Sequence, residues 1–233
     1  MPGLGLGLGL IRGAGAASPG DGGGGSNPIL ALSPAAYYRL GRGITVTGSG
    51  VSQWSDQSGN GRHLLQATDA ARPALQADGT ILFDGVAQFL KAGAFTLNQP
   101  FTEYVLFKPV SFTNNDYVSD GNTTSAKSVR QAASTPSLAV FSGGTEYSFS
   151  GPAIGSYGVI AIVYNGASSS AQLNNNAPTS GSPGAGAAAG YTLAASGGGA
   201  GNFGNLQVKE VALFASAHDA ATRAAVVNYL LTL

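Results

Sequence analysis

The sequence predicts an all-β protein. Two antiparallel sheets pack face to face, a short helix stands at the C-terminal end, and an extended arm leads in from the N-terminal end. Short runs rich in Val, Ile, Phe, Tyr and Thr recur along the chain, bounded by clusters of Gly, Asn, Ser and Asp. Two of these runs, residues 101–108 and 157–164, are apolar on both sides, as strands covered on both faces are. Only the last stretch, residues 218–231, carries an apolar stripe at helical spacing, formed by Val226, Tyr229 and Leu230.

Composition narrows the classes. The 233 residues are 43% hydrophobic, enough for a sizeable core, and 9% charged against a usual value of about 25%. Lys plus Arg equals Asp plus Glu at 11 each, so no net charge steers the chain toward nucleic acid or anionic lipid. Solubility rests on Ser, Thr, Asn and Gly, which suits an extracellular or virion-type surface. With no cysteine, disulfides and thiolate sites are excluded. A zinc site built on the two histidines, His63 and His218, would need carboxylates to complete it. No run of 18 apolar residues exists, so no membrane insertion by a spanning helix is expected.

Residues 1–26 differ from the rest. Gly alternates with Leu, and an extended backbone would place Leu4, Leu6, Leu8 and Leu10 on one side. No basic stretch precedes them and Gly breaks any helix, so the segment does not read as a signal peptide. It reads as an assembly arm that orders against a partner or sister subunits, followed by a flexible Gly-rich linker. Residues 27–233 form the sandwich. Ser33 with Pro34 is expected to start one helical turn. Strands follow at 44–47 and 51–54, and Ser58-Gly59-Asn60-Gly61 is turn chemistry. Phe83-Asp84-Gly85 makes a second corner, and Phe89-Leu90 a short apolar pair. Pro109 ends the strand at 101–108. Further strands are expected at 117–119, 137–141, 146–149, 157–164, 169–174 and 206–214. Residues 177–200, rich in Gly, Ala, Ser and Pro, read as long surface loops.

Trp54-x-Asp56-x-Ser58-Gly59-Asn60-Gly61, then Phe83-Asp84-Gly85, then the strand at 101–108, then Tyr164-Asn165-Gly166, then Glu210 in a late strand before a closing helix with Tyr229-Leu230: this order resembles the laminin-G-like / concanavalin A-like lectin-glucanase jelly roll. The resemblance covers about residues 30–233 and implies the two-sheet sandwich. The arm joined to such a domain also resembles accessory proteins of bacteriophages and phage-like particles.

Function must be argued from a site, because one fold hosts many functions. Glucanases of the resembled family carry Glu-x-Asp-x-Glu along one strand. Here the glutamates are Glu103, Glu146 and Glu210, and none has an acidic residue two positions on. No Gly-x-Ser-x-Gly elbow appears. The expectation is therefore a non-enzyme. No cofactor is required on this reading; calcium is the one worth weighing, with Asp56, Asn60 and Asp84 as candidate ligands. Each of these also suits a turn-bracing role. His63 reads as a packing or hydrogen-bonding residue and His218 as a helix cap. Tyr117, Asn115, Asp116, Tyr147, Asn175 and Tyr191 are the candidate glycan contacts, since rings stack on sugars and amides bond hydroxyls.

The expected function is a virion structural protein of a phage or phage-like particle. Its arm docks on other virion proteins and its lectin-like domain faces a host-surface polysaccharide at the virion surface, after synthesis in host cytoplasm. The alternatives are a freestanding carbohydrate-binding module and, third, a glycan-cleaving enzyme. A homo-oligomer is expected, since symmetry would bury the arm's leucines. Light scattering on the full chain and on a chain beginning at Asn27 tests this: a defined oligomer and a folded monomer, respectively, are expected, and two monomers would rule out self-association through the arm.

Overall fold

The computed structural model describes residues 27–111, 113, 115–123, 127–132 and 136–233. The expected arm, with Leu4, Leu6, Leu8 and Leu10, lies outside the described residues. The chain opens with helix α1 (Pro28–Ala31). Strands β1 (Ala36–Tyr38), β2 (Ile44–Thr47), β3 (Gly50–Trp54), β4 (Leu64–Leu65), β5 (Ala74–Leu75) and β6 (Ile81–Asp84) follow. Next come β7 (Leu90–Leu97), β8 (Phe101–Pro109), β9 (Tyr117–Asp120), β10 (Ser128–Gln131), β11 (Ser137–Phe141) and β12 (Tyr147–Ser150). The last strands are β13 (Gly158–Tyr164), β14 (Ser169–Leu173), β15 (Thr179–Gly181), β16 (Ala188–Leu193) and β17 (Asn205–Phe214), before helix α2 (Ala220–Leu230).

These strands form two antiparallel sheets, so the fold is the expected sandwich. The first sheet runs β15-β14-β13-β8-β17-β6-β5, with β1 also on β17. The second runs β12-β11-β10-β9-β16-β7-β4-β3-β2. The side-chain alternation of β8 explains its two apolar faces. Phe101, Val105 and Phe107 enter the core between the sheets with Trp54, Tyr38 and Leu193. Tyr104 and Leu106 face the other way, against Ile29 of α1 and Val226, Val227 and Leu230 of α2. The two helices thus cover the outer face of the first sheet. Among the described residues no helix is long and apolar enough to cross a membrane.

Three expectations are corrected. The opening helical turn lies at Pro28–Ala31, capped by the Asn27 side chain, and Ser33 with φ 54 ends it rather than starting one. The helix cap at the other end is Asp219, which accepts from Thr222 N at 2.7 Å, not His218. Residues 177–200 are not all loop. They supply β15 and β16, and β16 sits between β9 and β7 near the middle of the second sheet. Its small residues concealed it. Gly190 takes φ 73 at a register shift, where a Cβ would lie 2.2 Å from the Asn122 side chain.

The turn after β3 is held by one carboxylate. Asp56 Oδ1 accepts from the backbone N–H of Tyr37 and of Ser58, each at 2.9 Å. Its Oδ2 accepts from Ser58 Oγ at 2.8 Å and from Arg62 N at 3.0 Å. The turn is thereby fastened to β1, and β1 to the first sheet. Asp56→Ala would strand buried backbone N–H groups, so a loss of about 3 kcal/mol in urea unfolding is expected.

Candidate functional site

The fold places polar side chains at several positions, beginning inside the core. Glu103 of β8 is fully buried between the sheets. Its Oε1 accepts from Ser119 Oγ at 2.7 Å and Tyr191 OH at 2.8 Å. Its Oε2 accepts from Lys127 Nζ at 2.5 Å and Tyr164 OH at 3.3 Å. Lys127 is as fully buried, and desolvation pulls its ammonium below the usual lysine range against the pull of Glu103. Sequence reasoning left Glu103 alone, because its partners lie on β9, β13, β16 and the approach to β10.

The candidate calcium ligands do not converge. Asp56 already receives four donors, and Asn60 Nδ2 donates to Ala35 O at 3.0 Å, bracing the same turn. His63 Nδ1 accepts from Asp56 N at 3.1 Å. Asp84 Oδ1 accepts from Val86 N at 2.8 Å and Ala87 N at 3.3 Å, bracing its own corner. Asp84 pairs with Asn205 and Tyr37 with Ala212, so about 23 Å of strand β17 separates the two carboxylate turns.

The candidate glycan contacts also divide. Tyr191 is fully buried on β16 with its hydroxyl on Glu103, so it has no free ring face for a sugar. Tyr147 lies across Gly181, where a Cβ would come within 2.1 Å of its ring, and packs against the core. Asn175 is exposed and donates to Asn228 Oδ1 at 2.8 Å beside α2. Asn115, Asp116 and Tyr117 do lie together, half-buried at the start of β9. Asn115 N donates to Gln131 O at 3.1 Å, and burial raises the Asp116 carboxyl. Arg130, the register partner of Tyr117, forks Glu146 with Nε–Oε1 at 2.8 Å and Nη2–Oε2 at 2.7 Å.

Two clefts stand out. One of about 230 Å³ is lined by Arg39, Leu40, Arg42, Glu210 and Tyr229. There Glu210 Oε2 accepts from Tyr37 OH at 2.6 Å and Oε1 from Leu40 N at 3.3 Å. Burial raises the Glu210 carboxyl to about 7. Asn27 Nδ2 donates to both Tyr37 OH at 3.1 Å and Tyr229 OH at 2.9 Å, joining both chain segments to the cleft. His218, near α2, bonds the Tyr104 hydroxyl at 2.8 Å instead of entering either cleft.

The larger cleft, about 520 Å³, lies over β4 and β7 on the second sheet. Ala92, Gly93 and Ala94 give it a flat floor, with Phe89 half-buried at its wall. Gln66, Thr68, Lys91 and Asn122 bring neutral and cationic hydrogen-bonding groups to the rim. Asn122 is oriented by Ala92 O at 2.7 Å, and Gln66 by Phe89 O at 3.1 Å. From sequence, Phe89 reads only as half of an apolar pair and Lys91 has no role. No local signal marks them, since the cleft is assembled from β4, β7 and the segment after β9.

No family model matches the chain, and no curated protein matches it. Solved structures do share its fold. A Trypanosoma rangeli sialidase bound to 2,3-difluorosialic acid as a covalent intermediate matches 84% of this chain at TM-score 0.59 and 10% identity. This chain spans about a third, 33%, of that sialidase. Domain 4 of AbnA, a GH43 extracellular arabinanase from Geobacillus stearothermophilus in complex with arabinotriose, matches 83% of this chain and 98% of its own at TM-score 0.59 and 13% identity. A GH54 α-L-arabinofuranosidase matches 78% of this chain and 50% of its own at TM-score 0.55 and 15% identity. The expectation of a non-enzyme is corrected by these neighbours. Chains of glycoside hydrolases carry this sandwich, so the missing Glu-x-Asp-x-Glu motif is no ground for excluding glycan cleavage.

Glu210 makes stability depend on pH in a defined direction. Its folded value of about 7 lies above the ordinary 4.5, so the folded state holds the proton more tightly. Stability from this group is intact below pH 4.5 and falls as pH rises to about 7, by roughly 3 kcal/mol. Asp120, raised to about 6 by burial, adds a slope of the same sign. Denaturant melts of Glu210→Gln across this range are expected to show a flatter profile than the parent.

Proposed function

We propose that this protein binds glycan chains in the cleft over β4 and β7. The observation that carries the reading is the arabinanase domain: nearly its whole length shares this fold, and its structure holds arabinotriose. The cleft's chemistry agrees. Phe89, whose ring also lies against Gly199 and Phe203, brings apolar surface to the cleft, and oriented amides bring hydrogen-bonding groups for hydroxyls. A largely uncharged surface suits a neutral ligand. The lectin-type jelly roll displayed on a phage-like particle is the fuller form of this proposal. There, many weak sugar contacts add through multivalency, and the low charge and N-terminal Gly-Leu arm support it.

A second reading, glycan cleavage, rests on Glu210. A carboxyl that keeps its proton near neutrality is suited to act as a general acid, and it lies against a tyrosine in a cleft.

One titration separates these readings. Calorimetry with neutral oligosaccharides, arabinotriose first, is expected to show binding that Phe89→Ala weakens at least about tenfold. Gly93→Leu places a side chain where a Cβ meets nothing within 4 Å, and is expected to abolish binding without unfolding the protein. Unchanged affinity in both variants would overturn the cleft assignment. Chromatography of the same mixtures reads cleavage: shorter sugars formed by the parent but not by Glu210→Gln would establish the second reading.

A further inference from the structure

We propose that Lys127 and Glu103 condense to an intramolecular amide that joins the two sheets covalently. The two side chains meet at 2.5 Å with neither exposed to water. A buried ion pair returns less than its desolvation cost unless its geometry is well supported, so its retention calls for a purpose. The surroundings are those of a reaction site. Tyr191 OH and Ser119 Oγ both donate to Oε1, at 2.8 and 2.7 Å, where negative charge would develop on attack at the carboxyl carbon. Lys127 lies beside the Tyr191 and Tyr164 rings, 4.8 and 5.8 Å from their centroids, and Tyr164 OH donates to Oε2. The site excludes the water that would otherwise reverse a condensation.

The step balances without an added reagent. A proton passes from Lys127 Nζ to Glu103 Oε2, leaving an amine and a carboxylic acid; desolvation of the ammonium favours this transfer. The Nζ lone pair then attacks Cδ, and the charge on Oε1 is held by Tyr191 and Ser119. A second proton moves from Nζ to the Oε2 hydroxyl. The Cδ–Oε2 bond breaks, water departs and the Cδ–Nζ amide remains. Ammonium plus carboxylate yields amide plus water, with no change in charge or oxidation state. Asp120, whose charge acts on Lys127, accepts from Gly121 N and Gly197 N and stands outside the step.

Mass spectrometry of the full, denatured protein tests this. The expected mass is one water below that of the sequence, and a protease map should contain a branched peptide joining Glu103 to Lys127. Succinimides at Asp21-Gly22, Asp78-Gly79, Asp84-Gly85 or Asp120-Gly121 lose the same mass, but they leave linear peptides. Lys127→Arg keeps a cation and lacks an amine able to condense, so its mass should be that of its sequence. A full-mass parent after folding and prolonged incubation, with normal trypsin cleavage after Lys127, would overturn the proposal whatever the fate of the variant.

Discussion

A carboxylate without access to water must be given its donors by the protein, and Glu103 takes them from both sheets. Tyr164 comes from a neighbouring strand of its own sheet. Ser119, Lys127 and Tyr191 come from the other. Removing one donor would leave the others holding an under-satisfied charge, which is costlier than losing an ordinary contact. The relative placement of β8, β9 and β16 is therefore tied to polar geometry as well as to packing. Around this centre the core is aromatic: Phe101 stacks on Tyr164 with centroids 4.4 Å apart, and Tyr38 on Tyr191 at 6.5 Å.

The strands most legible in the sequence were those whose side chains state their surroundings. Residues 101–108 read as covered on both faces, and the helices on one side and the second sheet on the other account for that. Trp54 to Gly61 read as a strand running into a braced turn, and Asp56 braces it. What stayed hidden was structure made from residues without a strong preference. Strand β16 begins Ala188-Ala189-Gly190, and nothing local separates this from linker. Tyr191 was misplaced with it, from a buried hydroxyl donor to a loop aromatic. The site was less legible than the fold, because Phe89, Gln66 and Asn122 become neighbours only after β4 and β7 pair.

Charge is spent sparingly and placed unevenly. The fully buried pair, Glu103 with Lys127, sits in the interior, while Arg130 with Glu146 and Arg72 with Asp69 pair at the surface. The cleft over β7 is instead lined largely by neutral groups and by the small residues at 92–94. A flat floor without long side chains leaves room for an extended ligand. Glu210 occupies the opposite environment, a smaller cleft beside Thr232 and Leu233, where burial retains its proton. The uncharged cleft and the proton-retaining carboxyl thus lie at separate places on the same sandwich.

The lateral joins of the two sheets have a consequence for life in a crowded solution. At one side the ring of Tyr147, on β12, lies across Gly181 of β15. At the other, Val51 N of β3 donates to Pro73 O, just ahead of β5, at 2.8 Å. Sandwiches commonly guard their outermost strands with lysine and other charges, which discourage a second chain from adding on. A chain with 9% charged residues has little of that protection to distribute. Here the sheets are drawn together close to their margins, in the direction of a barrel, so backbone at these two joins is covered by topology instead of by charge, while β2, outermost in the second sheet and largely exposed, lies beyond the second join.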